Sequence, residues 1–218
     1  MISLKGVTKT FKRTTVLNGI NLEFAAGDRV ALIGSNGAGK TTLIRCLLGE
    51  YQFEGSISLN GENPRENRKA VLERIGFVPQ LPPPLKMPVQ QLLNFSAGVC
   101  GCSTDEMKAV AAQLGLDLEP LYKRPFEKLS GGQKQKLLIS IALGRPTSLL
   151  IMDEPAANLD PEARHTLFSL LEKKQEESAM LISSHRLDEV ASLVNRVIEL
   201  DRGQVVLDER VDDSIELY

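Results

Sequence analysis

Hydrophobic positions along this chain switch between two periods. Short runs of β-branched and other apolar residues, bounded by turn residues, predict strands at 29–33, 148–152, 180–183 and 197–200. Between the first three, apolar positions recur with helical spacing. Leu43, Ile44, Leu47 and Leu48 mark a helix at 40–48, and Ala163, Leu167, Leu170 and Leu171 mark another at 161–173. The latter opens with Asp160 as N-cap and Pro161 at the first helical position, where a missing N–H is harmless. Strands alternating with helices predict a mostly parallel sheet covered by helices, an α/β fold.

Three stretches depart from that alternation. Residues 56–59 run into Asn60-Gly61, and Asp201-Arg202-Gly203 separates two short apolar runs; both predict antiparallel strands. After Gln80, Pro82, Pro83, Pro84 and Pro88 exclude regular structure and mark a boundary. From Val89 to about Arg124 the pattern is helical, with Met107, Val110, Ala111 and Leu114 on one face. The expectation is one domain over 1–218. Its α/β core, with an antiparallel β subdomain, takes 1–81 and 141–218, and an inserted helical subdomain takes 82–140.

Candidate chemistry begins after the first predicted parallel strand. Gly34, Ser35, Asn36, Gly37, Ala38, Gly39, Lys40 and Thr41 match G-x-x-x-x-G-K-[ST], between a strand and a helix as the motif requires, and Thr42 continues the run. Glycines let successive N–H groups turn onto phosphate oxygens, and the helix N-terminus adds partial positive charge. Lys40 is expected to reach the β and γ phosphates, and the Thr41 hydroxyl to ligate Mg²⁺. The strand at 148–152 runs into Asp153-Glu154, and two carboxylates ending an apolar strand are costly unless a cation sits there. Asp153 fits the Mg²⁺ holder, directly or through water. Glu154 fits a base or water-orienting group for attack on a γ-phosphate.

Composition narrows the partners. A net charge of −2 gives no global attraction to nucleic acid or acidic lipid. The longest apolar runs, such as 149–152, fall far short of a membrane span. The N-terminal stretch holds Lys5, Lys9, Lys12 and Arg13 but no apolar core, so no signal peptide is expected. A cytoplasmic location follows, any membrane role requiring a partner. Cys46 falls on the apolar face of the 40–48 helix. Cys100 and Cys102 have no second Cys or His pair nearby, and with structural zinc usually needing four ligands no metal site is expected there.

Leu129-Ser130-Gly131-Gly132-Gln133 lies 20 residues before Asp153. Placed between a phosphate loop and an Asp-Glu pair, it resembles the signature sequence of ABC (ATP-binding cassette) ATPases, and the resemblance covers the whole chain in the family's order. It implies a P-loop NTPase with a RecA-like sheet, ATP and Mg²⁺ as ligands, and ATP hydrolysis. Phe11 stands where the family has an aromatic that stacks on adenine. Gln80 resembles the Q-loop glutamine, which contacts Mg²⁺ and water and senses the membrane partner. Asp160 resembles the end of the D-loop, and His185 the switch histidine that contacts the γ-phosphate. Ser130-x-x-Gln133 also reads as a capping box ahead of Leu137, Leu138 and Ile141, another helix N-terminus suited to an anion. In the family that second end serves the partner subunit's nucleotide, so two subunits enclose two ATP molecules. One set of motifs implies a symmetric homodimer here. As a transporter subunit the chain would work with a separate integral membrane permease, peripheral to the inner face of the cell membrane.

Two departures from the family stand out. Ala157-Asn158 replaces a small hydroxyl residue followed by Ala or Gly, which removes a hydroxyl from the dimer contact and leaves the catalytic groups untouched. Lys134-Gln135-Lys136 stands where Arg is frequent, a change expected to matter little. The basic run Lys123, Arg124, Lys128, Lys134 and Lys136 reads as a solvated face, and no nucleic-acid partner is expected. The insert, with Pro88-Val-x-x-Leu-Leu-x-Phe95, resembles compact ATPase subunits of export-type systems. These include drug and polysaccharide exporters and systems maturing copper enzymes such as nitrous-oxide reductase; simple importers stay open beside them. The rival reading is an ABC ATPase that moves no solute and acts on nucleic acid or ribosomes. Such relatives usually carry two cassettes in one chain or long coiled coils, and this sequence shows one cassette and no sustained heptads.

Overall fold

Alternate residues of the first two strands face inward. In β1 (Ile2–Phe11) these are Ile2, Leu4 and Val7; in β2 (Thr14–Phe24) they include Leu17, Ile20, Leu22 and Phe24. The pairing is antiparallel but shifts register repeatedly between Leu4 and Thr10. Those shifts break the two-residue period, which is why neither strand stands out in the sequence. This is a computed structural model, and it describes residues 2–174, 178–185 and 187–211. Met1 and 212–218, the ends of the expected domain, lie outside the described residues.

Next come β3 (Arg29–Ile33), α1 (Lys40–Leu47), β4 (Glu54–Leu59), α2 (Arg68–Leu72), β5 (Ile75–Val78), α3 (Val89–Cys100) and α4 (Asp105–Gln113). The chain continues through α5 (Gly131–Leu143), β6 (Leu149–Asp153), α6 (Pro161–Lys174), β7 (Ala179–Ser183), α7 (Leu187–Val190), β8 (Arg196–Asp201) and β9 (Gln204–Arg210). The predicted strands lie within about a residue of β3, β6, β7 and β8, and β5 is an addition, a strand too short to carry a period. Two compact units result, one formed by 1–72 with 175–218, the other by 73–174.

In the first unit β2, β1 and β4 form an antiparallel sheet in that order. β3 lies between β7 and β8, parallel to both, and β9 returns antiparallel along β8. The Asn60-Gly61 turn forms, but beyond it only one bridge closes, Leu59 to Glu62, before Pro64. Asp28, 2% exposed, fixes the entry to β3. It accepts from the Ala25 N–H at 2.9 Å, Arg196 at 3.0 Å and Arg210 at 3.1 Å. Arg196 also grips Asp208 at 2.6 and 2.7 Å, a pairing that raises the guanidinium pKa further. A buried carboxylate needs such partners, and here they join the start of β3 to β8 and β9.

The second unit holds the parallel pair β5 and β6, with its own core among the helices. Val89, Leu93, Met107, Ala111, Phe126 and Leu137 are each at most 1% exposed. The expected Met107, Val110, Ala111 and Leu114 face is buried. The helical pattern is interrupted, however. Gly101 ends α3 with φ 64, and residues 114–130 run through short 3-10 turns at Glu119–Leu121 and Phe126–Lys128. The first N–H groups of α3 are met by this stretch, Val89 donating to the Arg124 carbonyl at 3.0 Å and Gln90 to that of Tyr122 at 3.1 Å. Phe126→Ala is therefore expected to cost about 3–5 kcal/mol, read from the shift of the urea unfolding midpoint. A shift worth under about 1 kcal/mol would contradict this packing.

Candidate functional site

Candidate residues fall into two groups, one in each unit. In the first unit, Leu32 of β3 sits opposite Ser183 of β7 in a parallel pair. The chain leaves β3 into the glycine loop and leaves β7 toward His185, so both depart from the carboxyl edge of the strands. That is the edge where open α/β sheets bind ligands. His185 is exposed; Ser184 before it is buried and donates its N–H to the Leu32 carbonyl at 3.2 Å.

The loop itself is held from behind. At Gly34, φ 142, a Cβ would stand 2.2 Å from the Leu200 carbonyl oxygen, so only glycine fits. The turn joining β8 to β9 braces the loop, Gly203 donating its N–H to the Ala38 carbonyl at 2.9 Å and accepting from Asn18 at 2.8 Å. Ser35, Asn36 and Gly37 are exposed, Ala38 and Gly39 are buried, and Thr41 and Thr42 lie half-buried in the first turn of α1. Lys40 is 6% exposed and curls over the loop, its Nζ 2.6 Å from the Gly34 carbonyl and 3.2 Å from that of Ser35. Carbonyls thus hold an ammonium over a loop of backbone amides that opens a helix, an arrangement suited to a polyphosphate. Phe11 is 38% exposed at the end of β1. Its ring meets Tyr51 edge-on at 5.2 Å, and the Lys9 ammonium lies 4.5 Å from its centroid.

In the second unit, Val78 of β5 sits opposite Met152 of β6. Two residues further along each strand stand Gln80 and Glu154, and the parallel register brings them together, Gln80 Nε2 donating to Glu154 Oε2 at 2.9 Å. β6 is buried along its whole length, Asp153 included. Glu154 turns the chain at once with φ 51, a left-handed conformation that costs a non-glycine residue about 1–3 kcal/mol and persists only where its surroundings hold it.

The Ser130 capping box expected from the sequence is present. The Gln133 N–H donates to Ser130 Oγ at 3.2 Å and the Ser130 N–H to Gln133 Oε1 at 3.0 Å, with Gly131 and Gly132 opening α5. Beside this helix end lies a cleft of about 400 Å³ lined in part by Ser130, Gly132, Gln133, Lys136 and Asp160. Asp160 caps α6, accepting from the Ala163 N–H at 2.8 Å, and pairs with Lys136 at 2.8 Å. The Lys136 side chain is 16% exposed, so it belongs to this ion pair and not to a solvated basic face. Its hydrogen bond, followed by that of the Ala163 N–H, holds the Asp160 carboxyl below the ordinary carboxylate range. No local pattern in the sequence marks the brace at Gly203, the Tyr51 contact or the grip of Gln135 on the Pro155 carbonyl at 3.1 Å.

A phosphate loop between a parallel strand and a helix, in an α/β chain with a further antiparallel sheet, defines a P-loop nucleotide-binding protein. Residues 17–157 match the ABC transporter family. Among similar proteins, the lantibiotic transport ATP-binding protein SrtF of Streptococcus pyogenes is 34% identical, over 98% of this chain and 93% of its own. The glutamine transport ATP-binding protein GlnQ of Escherichia coli is 32% identical, over 95% and 90%. A solved structure of an ATP binding subunit of an ABC transporter superimposes with a TM-score of 0.87 at 27% identity, covering 98% of this chain and 91% of that one. A nucleotide-free ATP-binding cassette from an ABC transporter gives 0.78 at 26% identity, over 98% and 92%. The chain belongs to the ABC transporter family, as one of its ATP-binding subunits, an ABC-type ATPase.

The Asp160 pairing carries a pH dependence. Its folded pKa lies below the ordinary 3.8, so the contribution to stability is complete above that value and is lost as pH falls through the lower, folded one. The gap in thermal midpoint between wild type and Asp160→Asn is expected to hold from neutral pH down to about pH 5, then to close in stronger acid. A gap that stays constant throughout would contradict the pairing.

Proposed function

We propose that two copies of this chain bind two ATP molecules between them, and that hydrolysis drives a separate integral membrane permease. The observation that carries this reading is that one chain holds two helix N-termini suited to phosphate, α1 behind the glycine loop and α5 behind the Ser130 capping box. One nucleotide engages the first; the second is left for the nucleotide of a partner chain, and two-fold symmetry completes both sites.

In this reading Phe11 stacks on adenine, and the amides of Gly34, Ser35, Asn36, Gly37, Ala38 and Gly39 with Lys40 and the start of α1 at Thr41 and Thr42 hold the phosphates. Ser130, Gly131, Gly132 and Gln133 receive the partner's nucleotide, and Asp160 ends the segment that meets the partner. Glu154 aligns the attacking water or takes its proton, His185 contacts the γ-phosphate, and Gln80 orients the Glu154 carboxylate through its amide N–H. The donors suit Mg²⁺: the Thr41 hydroxyl, the Asp153 carboxylate and the Gln80 carbonyl are all hard oxygens. When bound, Mg²⁺ neutralises charge on the β and γ phosphates.

Among the described residues no helix is long and apolar enough to cross a membrane, and the reading places the span in the permease. The helical subdomain over 82–140 and the loop at Gln80 are its docking face, on the cytoplasmic side of the membrane. Leu81 is 79% exposed, Phe95 62% and Val99 43%, exposed apolar side chains that support such a contact.

Glu154→Gln is expected to bind ATP within about twofold of wild type, lose at least about 100-fold in turnover and accumulate as an ATP-bound dimer. Phosphate release and size-exclusion chromatography with ATP read these effects, and wild-type turnover would remove Glu154 from the chemistry. Lys40→Met should instead weaken nucleotide binding itself. Captured with ATP from native membranes, the Glu154→Gln protein should bring a polytopic membrane protein; ribosomes or DNA in its place would overturn the transport reading.

A further inference from the structure

We propose that Gln135, on the second turn of the signature helix α5, is a positioning residue for Glu154 of its own chain. This rests on the catalytic reading of Glu154 given above. Gln135 is 0% exposed. Its Nε2 donates to the Pro155 carbonyl at 3.1 Å, and its Oε1 is buried with no hydrogen-bond partner. An amide buried in this half-satisfied way costs about 1–3 kcal/mol, which methionine, of similar length, would avoid. What the amide supplies, and an apolar side chain does not, is a hold on residue 155.

That hold falls on the residue next to Glu154. Pro155 has no N–H, so its carbonyl is the one main-chain polar group by which it is tied. It directly follows Glu154, whose backbone sits at φ 51 and whose carboxylate is met by Gln80. The contact is also not isolated. Lys136 grips Asp160 at 2.8 Å, and a Cβ on Gly132 would lie 3.3 Å from the Asn158 carbonyl oxygen, so that helix residue packs closely under the same segment. Residues 132, 135 and 136 of the helix thus touch residues 158, 155 and 160 of the segment leaving Glu154. The start of the same helix carries Ser130 to Gln133, so the signature and the hold on the segment after Glu154 belong to one rigid element.

The test compares wild type, Gln135→Met, Glu154→Gln and the double variant, by Mg-ATP turnover, affinity for a fluorescent ATP analogue and thermal unfolding. Expected for Gln135→Met is a loss of about tenfold or more in kcat, nucleotide affinity within about twofold of wild type and a Tm no lower than wild type. The double variant should turn over no more slowly than Glu154→Gln alone, since both changes act on one group. Wild-type turnover in Gln135→Met beside an impaired Glu154→Gln overturns the positioning role only. Wild-type turnover in Glu154→Gln overturns the catalytic reading, and this inference with it. Loss of Tm and affinity in Gln135→Met, or a further drop of the same factor in the double variant, marks a structural residue and also overturns it.

Discussion

A strand buried at every residue must here deliver a carboxylate immediately after it ends. β6 is apolar up to Met152, its last residue Asp153 is 2% exposed, and Glu154 follows in a left-handed turn. Such a turn persists only where neighbours hold it. The parallel register of β5 and β6 brings Gln80 to the carboxylate, and α5 holds the carbonyl one residue further on. α5 can do so because its start is fixed by the Ser130 capping box and its body is packed in the helical core through Leu137 and Ile141. Packing, capping and register therefore meet at one residue.

The first unit meets a comparable demand at the glycine loop. The loop must present its amides outward, so it is supported from its inner side by Leu200 and by the turn at Gly203. That turn is placed by β8 and β9, and these strands are held to the start of β3 by Asp28, Arg196 and Arg210. An ion-pair network at one end of the strands thus helps to fix the loop leaving the other end. Breaking it by removing one partner would leave charge uncompensated near a buried carboxylate, a far larger disturbance than loss of a surface pair.

Features written in consecutive residues were legible without a structure. The glycine loop, the Asp160 cap and the Ser130 capping box each depend on side chains or backbone freedom within a few positions, and all three form. Strands β3, β6 and β7 were legible because they hold continuous apolar runs, and β8 because its run is broken only at Glu199. β1 and β2 were not, since register shifts scramble their alternation, nor was β5, which is four residues long. The supports of the site were illegible for another reason. Gln135 meets Pro155, Phe11 meets Tyr51 and Gly203 meets Ala38 across 20, 40 and 165 positions, and no local pattern records such partners. Lys136 was misread as solvated because a charge in a basic run looks the same whether or not a carboxylate folds against it.

Sharing of sites between two chains is the claim on which the functional account stands, and complementation tests it directly. Ser130→Arg blocks the signature and Glu154→Gln removes the catalytic carboxylate, so each protein alone should be nearly inactive in Mg-ATP turnover. In an equal mixture about half the dimers are mixed, and each of these retains one site joining an intact glutamate to an intact signature. With the two variants mixed before ATP is added, so that pairing is random, up to about a quarter of wild-type activity should then return. No recovery at any ratio, from variants that fold and bind ATP, would contradict the account.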